Sequence, residues 1–186
     1  FRQYEKYGTF SDAASENHGG AGAALIRKTN LLSGLDQSEQ QQIVHAVAMH
    51  NSFRLPADLD KETRELTNMV RDADKIDIYR VMVELYNDIA PGKTSFITHH
   101  LPDDGKISSH LVQDILDQRL IDARQIKTMN DMKLLQISWL FDFNFRISIE
   151  LVNQKQYIPA IFGTMPRTSS VDRLELFVHA YLETRK

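Results

Sequence analysis

The sequence predicts an all-α protein that folds as a single compact helical domain over residues 1–186. Most segments place their apolar residues three or four positions apart, which is the period of a helix, and no run alternates at strand period. Glycine and proline, which interrupt helices, number only 8 and 5. With 42% hydrophobic and 25% charged residues, the chain has enough apolar surface for one buried core.

The helices are predicted from this periodicity and from their capping residues. In order, the elements are a loop with a short helix (about 1–17), helices at about 20–32, 38–50 and 61–87, a polar loop (92–106), a short helix (108–118), a connector (119–127), and helices at about 130–154, 157–162 and 170–184. Gly34 ends the first of the main helices, and Asp36 or Ser38 caps the second. Asp60 caps the third, and Pro91-Gly92 follows its end.

The helix predicted at 130–154 has the most apolar sequence of the chain. Its middle, ISWLFDFNFRISIEL, is apolar nearly all round, which is typical of a central core helix. The same surface could serve as a homodimer face, and of the two we expect the core. Asp142 lies within this stretch and needs a partner there. It either lines the floor of a pocket or ties the helix to an arginine or to backbone amides, and we favour the tie.

Composition excludes several classes of function. The chain has no cysteine, which excludes disulfides, thiolate metal sites and cysteine nucleophiles and favours a reducing, cytoplasmic compartment. The formal net charge of −3 argues against a nucleic-acid polymer bound through a basic surface. No apolar run approaches the ~18–20 residues that a membrane span needs, so we expect no membrane partner.

Three aspartates, Asp72, Asp74 and Asp77, lie within six residues of a helix that has an apolar face. Their spacing puts at least one carboxylate on or beside the buried stripe. A buried carboxylate is costly unless it is paired or binds a metal. The spacing alone leaves open salt bridges on a solvated face to the basic residues of the same segment, Arg71, Lys75 and Arg80.

Two histidines stand at predicted helix ends, where they could join the acidic helix in a metal site. His18 lies at the entry to the first main helix, beside small residues that allow close approach of a substrate, and His50 ends the second. Imidazole with carboxylate suits ions such as Mn, Fe, Mg or Zn, although a lone histidine is more often structural. The pair His99-His100 lies in a polar loop, and we expect it at the surface.

In this order the motifs resemble the HD-domain superfamily of metal-dependent phosphohydrolases. The resemblance rests on Asn17-His18-Gly19 with Gly22, on AVAMHN at 46–51 and on DADKID at 72–77. The segment YGTFSD at 7–12 resembles the stretch that follows the His-Asp doublet in one bacterial branch. The aromatics Tyr4, Tyr7 and Phe10 could cover the mouth of the site or stack on a base, or they could be ordinary packing. The resemblance implies a metal-site part over residues 1–90 and C-terminal helices over 91–186 that complete the core.

One part of the family pattern is missing. The chain contains no His-Asp dipeptide, and the resemblance would place that doublet a few residues before Phe1. We therefore expect the N-terminal part that contains the doublet to be missing from this chain. The alternative is a degenerate, non-catalytic ligand-binding or interaction module of the same fold.

The resemblance implies a hydrolase whose site uses imidazole and carboxylate ligands. His18, His50 and Asp74 match metal-binding positions for a divalent ion, which could be Mn, Fe, Mg, Zn or Ni. Lys75 and Arg80 match positions that could neutralise a phosphate in catalysis, and the alternative for both is a surface charge. The implied reaction is metal-assisted hydrolysis of a phosphomonoester or phosphodiester of a nucleotide or another small phosphorylated metabolite.

Overall fold

The computed structural model describes residues 2–8, 12–88 and 101–185. Within these ranges every regular element is helical, which confirms the all-α class. The α-helices of this part of the chain are α1 (Arg2–Tyr7), α2 (His18–Thr29), α3 (Gln37–Met49), α4 (Lys61–Asp88), α5 (Ser109–Leu116), α6 (Met129–Ser138), α7 (Arg146–Gln154), α8 (Tyr157–Gly163) and α9 (Ser169–Glu183). Short 3-10 segments lie at Asp12–Ala14, Ala123–Gln125 and Trp139–Asp142.

The chain divides into two compact units, residues 1–73 and 74–186. The division falls between Ala73 and Asp74, inside α4, and the helix continues through it without a break. The assignment of residues 1–186 to one domain of the HD type stays a prediction.

Two asparagines set the ends of α2. The Asn17 side chain accepts a hydrogen bond from the amide of Gly20 at 2.8 Å, so the helix begins at His18, earlier than predicted. At the other end Asn30 takes a left-handed backbone conformation with φ 50°, which closes the helix. The helix therefore ends before Gly34, because a left-handed asparagine satisfies the last carbonyls first.

Aspartates cap the next two helices. Asp36 forms a capping box with Glu39 at the start of α3, which selects Asp36 from the two predicted caps. Asp60 accepts a hydrogen bond from the amide of Thr63 at 2.8 Å, as predicted for the start of α4. Both helices consequently begin and end close to their predicted limits.

Helices α2 and α3 approach each other at two glycines. A Cβ atom at Gly19 would lie 2.9 Å from the carbonyl oxygen of Val47, and one at Gly22 would lie 3.2 Å from Cγ1 of the same valine. Because only glycine leaves room for this approach, these residues bring the start of α2 against the end of α3. That contact positions both candidate histidines.

The second unit has its core around α6, all ten residues of which are buried. The apolar residues of α6 join a cluster with side chains from α5, α8 and α9. The buried carboxylate of Asp131 accepts hydrogen bonds from the amide and hydroxyl of Ser108 and from the amide of Lys127. The buried carboxylate of Asp131 is therefore compensated by hydrogen-bond donors from nearby residues.

The prediction of one helix over residues 130–154 is wrong. Helix α6 ends at Ser138, the 3-10 turn Trp139–Asp142 follows, and Phe143 and Phe145 are extended before α7 begins. The Phe143 ring stacks on the buried ring of Tyr79, with centroids 6.3 Å apart. Aromatic residues are weak helix formers, and here their packing against the core outweighs the helical hydrogen bonds.

The remaining predicted helices agree closely with α5, α8 and α9, and the short helix expected within 1–17 is α1. Across the described ranges, no helix combines the length and the apolarity needed to cross a membrane. The predictions for Phe10, Pro91-Gly92 and His99-His100 concern residues outside the described ranges, and the side chain of Tyr4 is likewise not described.

Candidate metal centre

The residues that the resemblance implied as metal ligands come from three helices. His18 is the first residue of α2, His50 follows the last residue of α3, and Asp74 comes directly after Ala73 in the unbroken α4. Each offers one ligand atom, and these atoms all lie within 4.8 Å of one another. His50 is buried, whereas His18 and Asp74 are half-buried.

The imidazole of His50 is fixed by the backbone of its own helix. Its Nδ1 lies 2.8 Å from the carbonyl oxygen of Val47. Because a carbonyl can only accept a hydrogen bond, Nδ1 must be the protonated nitrogen of this ring. In the neutral ring, Nε2 therefore presents its lone pair.

The imidazole of His18 is fixed by a carboxylate. Its Nδ1 lies 2.9 and 2.8 Å from the two carboxylate oxygens of Asp12, which can only accept when ionised. Burial raises the pKa of Asp12, but hydrogen bonds from His18 and Gln3 outweigh it and hold that pKa below its usual value. The carboxyl group is thus ionised at neutral pH, and the proton of the neutral His18 ring is on Nδ1.

The two Nε2 atoms face each other at 3.0 Å, with the rings of His18 and His50 inclined by 67°. Two neutral imidazoles in these tautomers would direct two lone pairs at one another. Such an approach is favourable only when a proton or another cation binds between or beside them. The arrangement therefore offers two nitrogen donors that could bind one cation.

The donor set fits a divalent transition-metal ion. Two nitrogens that each lie ~2.1 Å from one ion are separated by about 3.0–3.4 Å, depending on the angle between the bonds. The observed 3.0 Å between the Nε2 atoms of His18 and His50 is within that range. Asp74 adds a carboxylate to the imidazoles, and this combination suits Mn, Fe, Ni or Zn better than a purely oxygen-binding ion.

A buried arginine holds the chain at the end of α3. Arg71 is only 7% exposed, and its Nη1 donates hydrogen bonds to the carbonyl of His50 at 3.1 Å and to the carbonyl of Ser52. Sequence reasoning treated Arg71 only as a salt-bridge partner within its own helix. It missed this role because a bond to a backbone carbonyl 21 residues earlier leaves no local sequence pattern.

Asp12 was also missed as a member of the site. In the sequence it appears only as the last letter of the YGTFSD segment. The signal that could have selected it is a carboxylate six residues before His18, ahead of a helix start, where it can reach the ring and the first amide of that helix. The Asp12 carboxylate accepts from that amide at 3.2 Å.

The two cations carried over from the resemblance are both paired with carboxylates. Lys75 is buried, and its Nζ lies 2.6 Å from a carboxylate oxygen of Asp142. Arg80 is exposed and pairs with Asp77 at 2.9 Å and with Glu84 at 3.5 Å. Asp142 therefore ties its segment to another part of the chain, as the sequence favoured, and its partner in this ion pair is Lys75.

Comparisons with known proteins add no name to this geometry. No family model, no curated protein and no solved structure matches the chain.

Proposed function

We propose that the chain belongs to a metal-dependent phosphohydrolase of the HD-domain type, in which His18, His50 and Asp74 bind a divalent metal ion. The observation that supports the proposal most strongly is the facing pair of Nε2 atoms at 3.0 Å. The three residues that the resemblance implied as ligands lie in this one group, although they come from separate segments of the sequence.

Each side chain has a defined role in the proposed site. His18 and His50 bind through neutral Nε2 atoms, and Asp74 contributes a negative charge that offsets part of the charge of the ion. When bound, the metal neutralises charge on phosphoryl oxygens and makes water a better nucleophile at neutral pH. The substrate class is a phosphomonoester or phosphodiester of a nucleotide or another small phosphorylated metabolite, and the compartment is the cytoplasm.

Lys75 and Arg80 are the proposed phosphate contacts, and they differ in how readily each could exchange its carboxylate partner for a phosphate. Arg80 is 52% exposed in its side chain and can exchange Asp77 for a phosphate at little cost, because exposed ion pairs contribute ~0–1 kcal/mol. The Lys75 side chain is 11% exposed and would have to leave Asp142. Of the two, Arg80 is therefore the better candidate for a substrate contact.

A second candidate function is a non-catalytic ligand-binding or interaction module of the same fold. The observation that favours it is that both carried-over cations already have carboxylate partners. Such a module could retain metal at His18, His50 and Asp74 but would not hydrolyse phosphate esters. Activity, measured beside metal content, separates the two functions.

The test is metal analysis of the purified chain, together with hydrolysis of p-nitrophenyl phosphate and bis-p-nitrophenyl phosphate after addition of Mn, Fe, Ni or Zn. Asp74→Ala should lose the metal and any hydrolysis. Glu65→Ala is the matched control, because it removes a carboxylate that is 61% exposed on the same helix. Equal metal content in the wild type and Asp74→Ala would overturn the site assignment. Metal together with hydrolysis that Asp74→Ala loses would favour the phosphohydrolase over the second function.

A further inference from the structure

We propose that Asp12 is a positioning residue for the candidate metal centre. Its carboxylate holds the His18 imidazole in the orientation and tautomer in which Nε2 can bind a metal ion. This inference rests on the proposed function and deepens it, because it adds a residue outside the three ligands that controls the affinity for metal.

Asp12 accepts hydrogen bonds from both the ring and the backbone of His18. Its two oxygens lie 2.9 and 2.8 Å from Nδ1, and one of them also accepts from the His18 amide at 3.2 Å. The carboxylate approaches the Nδ1 edge of the ring, so the Nε2 edge is directed toward His50. Rotation of the His18 ring about its Cβ–Cγ bond would break the contacts between Nδ1 and Asp12.

The charge of Asp12 acts on the ligand atom through the ring. An imidazole that donates its Nδ1 proton to a carboxylate keeps the lone pair on Nε2, and the negative charge makes that lone pair a stronger donor to metal. A carboxylate in this position is a common partner of metal-bound histidine, and its loss typically lowers metal affinity ~10–100-fold.

Two amide side chains hold the carboxylate in place. Gln3 Nε2 donates to Oδ1 of Asp12 at 3.0 Å, and Asn51 Nδ2 donates to Oδ2 at 2.8 Å. Gln3 also donates to the hydroxyl of Ser15 and to the carbonyl of Glu16. Helix α1 is thereby tied to the 3-10 turn that contains Asp12.

Asn51 connects the same carboxylate to the other histidine, because it follows His50 directly in the chain. It also lies near the ring of His18, with its Nδ2 3.4 Å from Nδ1. Asp12 therefore contacts the segments that present both imidazoles, which explains how the Nε2 atoms are kept face to face.

The test is Asp12→Asn in the full chain, with two measurements. Long-range ¹H–¹⁵N NMR of the imidazoles in the metal-free protein reads the tautomer of His18, and calorimetry with Co²⁺ reads metal affinity. We expect the Nδ1-protonated tautomer to lose its dominance and the affinity to fall ~10–100-fold. Asp58→Asn is the matched control, because it makes the same change at an exposed turn residue of the same unit.

An unchanged His18 tautomer or a wild-type affinity in Asp12→Asn would overturn the inference. If the wild type itself binds no Co²⁺, the proposed function fails, while the NMR comparison still decides whether Asp12 sets the tautomer. If Asp12→Asn does not fold, Gln3→Ala removes one donor to the carboxylate and keeps its charge. In Gln3→Ala, the His18 tautomer population and the Co²⁺ affinity should change in the same direction as in Asp12→Asn, but by less. If neither changes, the inference is also overturned.

Discussion

The Nε2 atoms of His18 and His50 lie 3.0 Å apart, although 32 positions separate the two residues in the chain. Each ring is fixed at its other nitrogen, that of His18 by Asp12 and that of His50 by the carbonyl of Val47. The pair is thus held by contacts that involve no metal, and this is the preorganisation that a binding site requires.

Loss of either imidazole should weaken metal binding more than loss of a supporting residue. We expect His18→Ala and His50→Ala each to lower Co²⁺ affinity by at least ~100-fold, the upper end of the range for supporting residues. His45→Ala, at an exposed position of α3, is the control and should keep wild-type affinity by calorimetry. A similar loss in all three variants would argue against a specific site.

Two neighbouring glycines should respond oppositely to alanine. A Cβ at Gly19 would lie 2.9 Å from the backbone oxygen of Val47, whereas one at Gly20 would lie 3.7 Å from the Asn17 side chain. We expect Gly19→Ala to lower the free energy of unfolding by ~1–3 kcal/mol through overpacking. Gly20→Ala should be neutral or stabilising by up to ~1 kcal/mol, because alanine favours helix. Equal stabilities in urea unfolding would contradict the close approach of α2 and α3.

The ion pair between Lys75 and Asp142 should contribute to stability. Both side chains are mostly buried, at 11% and 26% exposure, so removing one takes from the other an oppositely charged group at 2.6 Å. We expect Lys75→Met to cost about 2–4 kcal/mol of unfolding free energy. A double-mutant cycle with Asp142→Asn should give a coupling of ~1–3 kcal/mol.

The control for this pair is Arg80→Met, which breaks exposed ion pairs and should cost ~0–1 kcal/mol. A coupling near zero between Lys75 and Asp142 would show that the pair does not stabilise the fold. In that case Lys75 would be available for substrate, as the resemblance implied.

Tyr79 should make the protein sensitive to alkali. Burial raises the pKa of its phenol well above the ordinary 10.0, so the native state keeps a proton that the unfolded state releases above pH 10. The associated stability is complete below pH 10 and is lost as pH rises from there toward the native pKa, by ~1.4 kcal/mol per pH unit. Urea unfolding at several pH values measures this slope.

Tyr79→Phe should make that slope shallower without abolishing it, because burial also raises the pKa of Tyr86. At neutral pH the variant should be less stable by about 1 kcal/mol, because the hydroxyl donates to the carbonyl of Gln136 at 2.7 Å. Tyr7→Phe, at an exposed tyrosine, should keep the wild-type slope. A Tyr79→Phe slope equal to that of the wild type would assign the alkaline loss to other groups.

The helices and the grouping of His18, His50 and Asp74 were largely predictable from sequence because their signals are local. Asp60 precedes its helix at capping distance, and the resemblance selected His18, His50 and Asp74 from short motifs in a fixed order. Each of these signals needs only a few neighbouring residues to be read.

What could not be predicted depends on contacts between distant segments. The break at Trp139–Asp142 follows from packing of Phe143 against Tyr79, which no periodicity within 130–154 reveals. The partner of Asp142 is a lysine 67 residues earlier. Arg71 likewise donates a hydrogen bond to the backbone carbonyl of His50, 21 residues earlier, so composition gives no sign of this contact.

The most direct test of the metal centre is X-ray absorption spectroscopy of the chain loaded with one equivalent of zinc. The structure predicts imidazole scattering from two histidines, with Zn–N distances of ~2.0–2.1 Å. In His50→Ala that signal should fall to one imidazole. A spectrum without imidazole scattering, or one that His50→Ala leaves unchanged, would contradict the assignment of His18 and His50 as metal ligands.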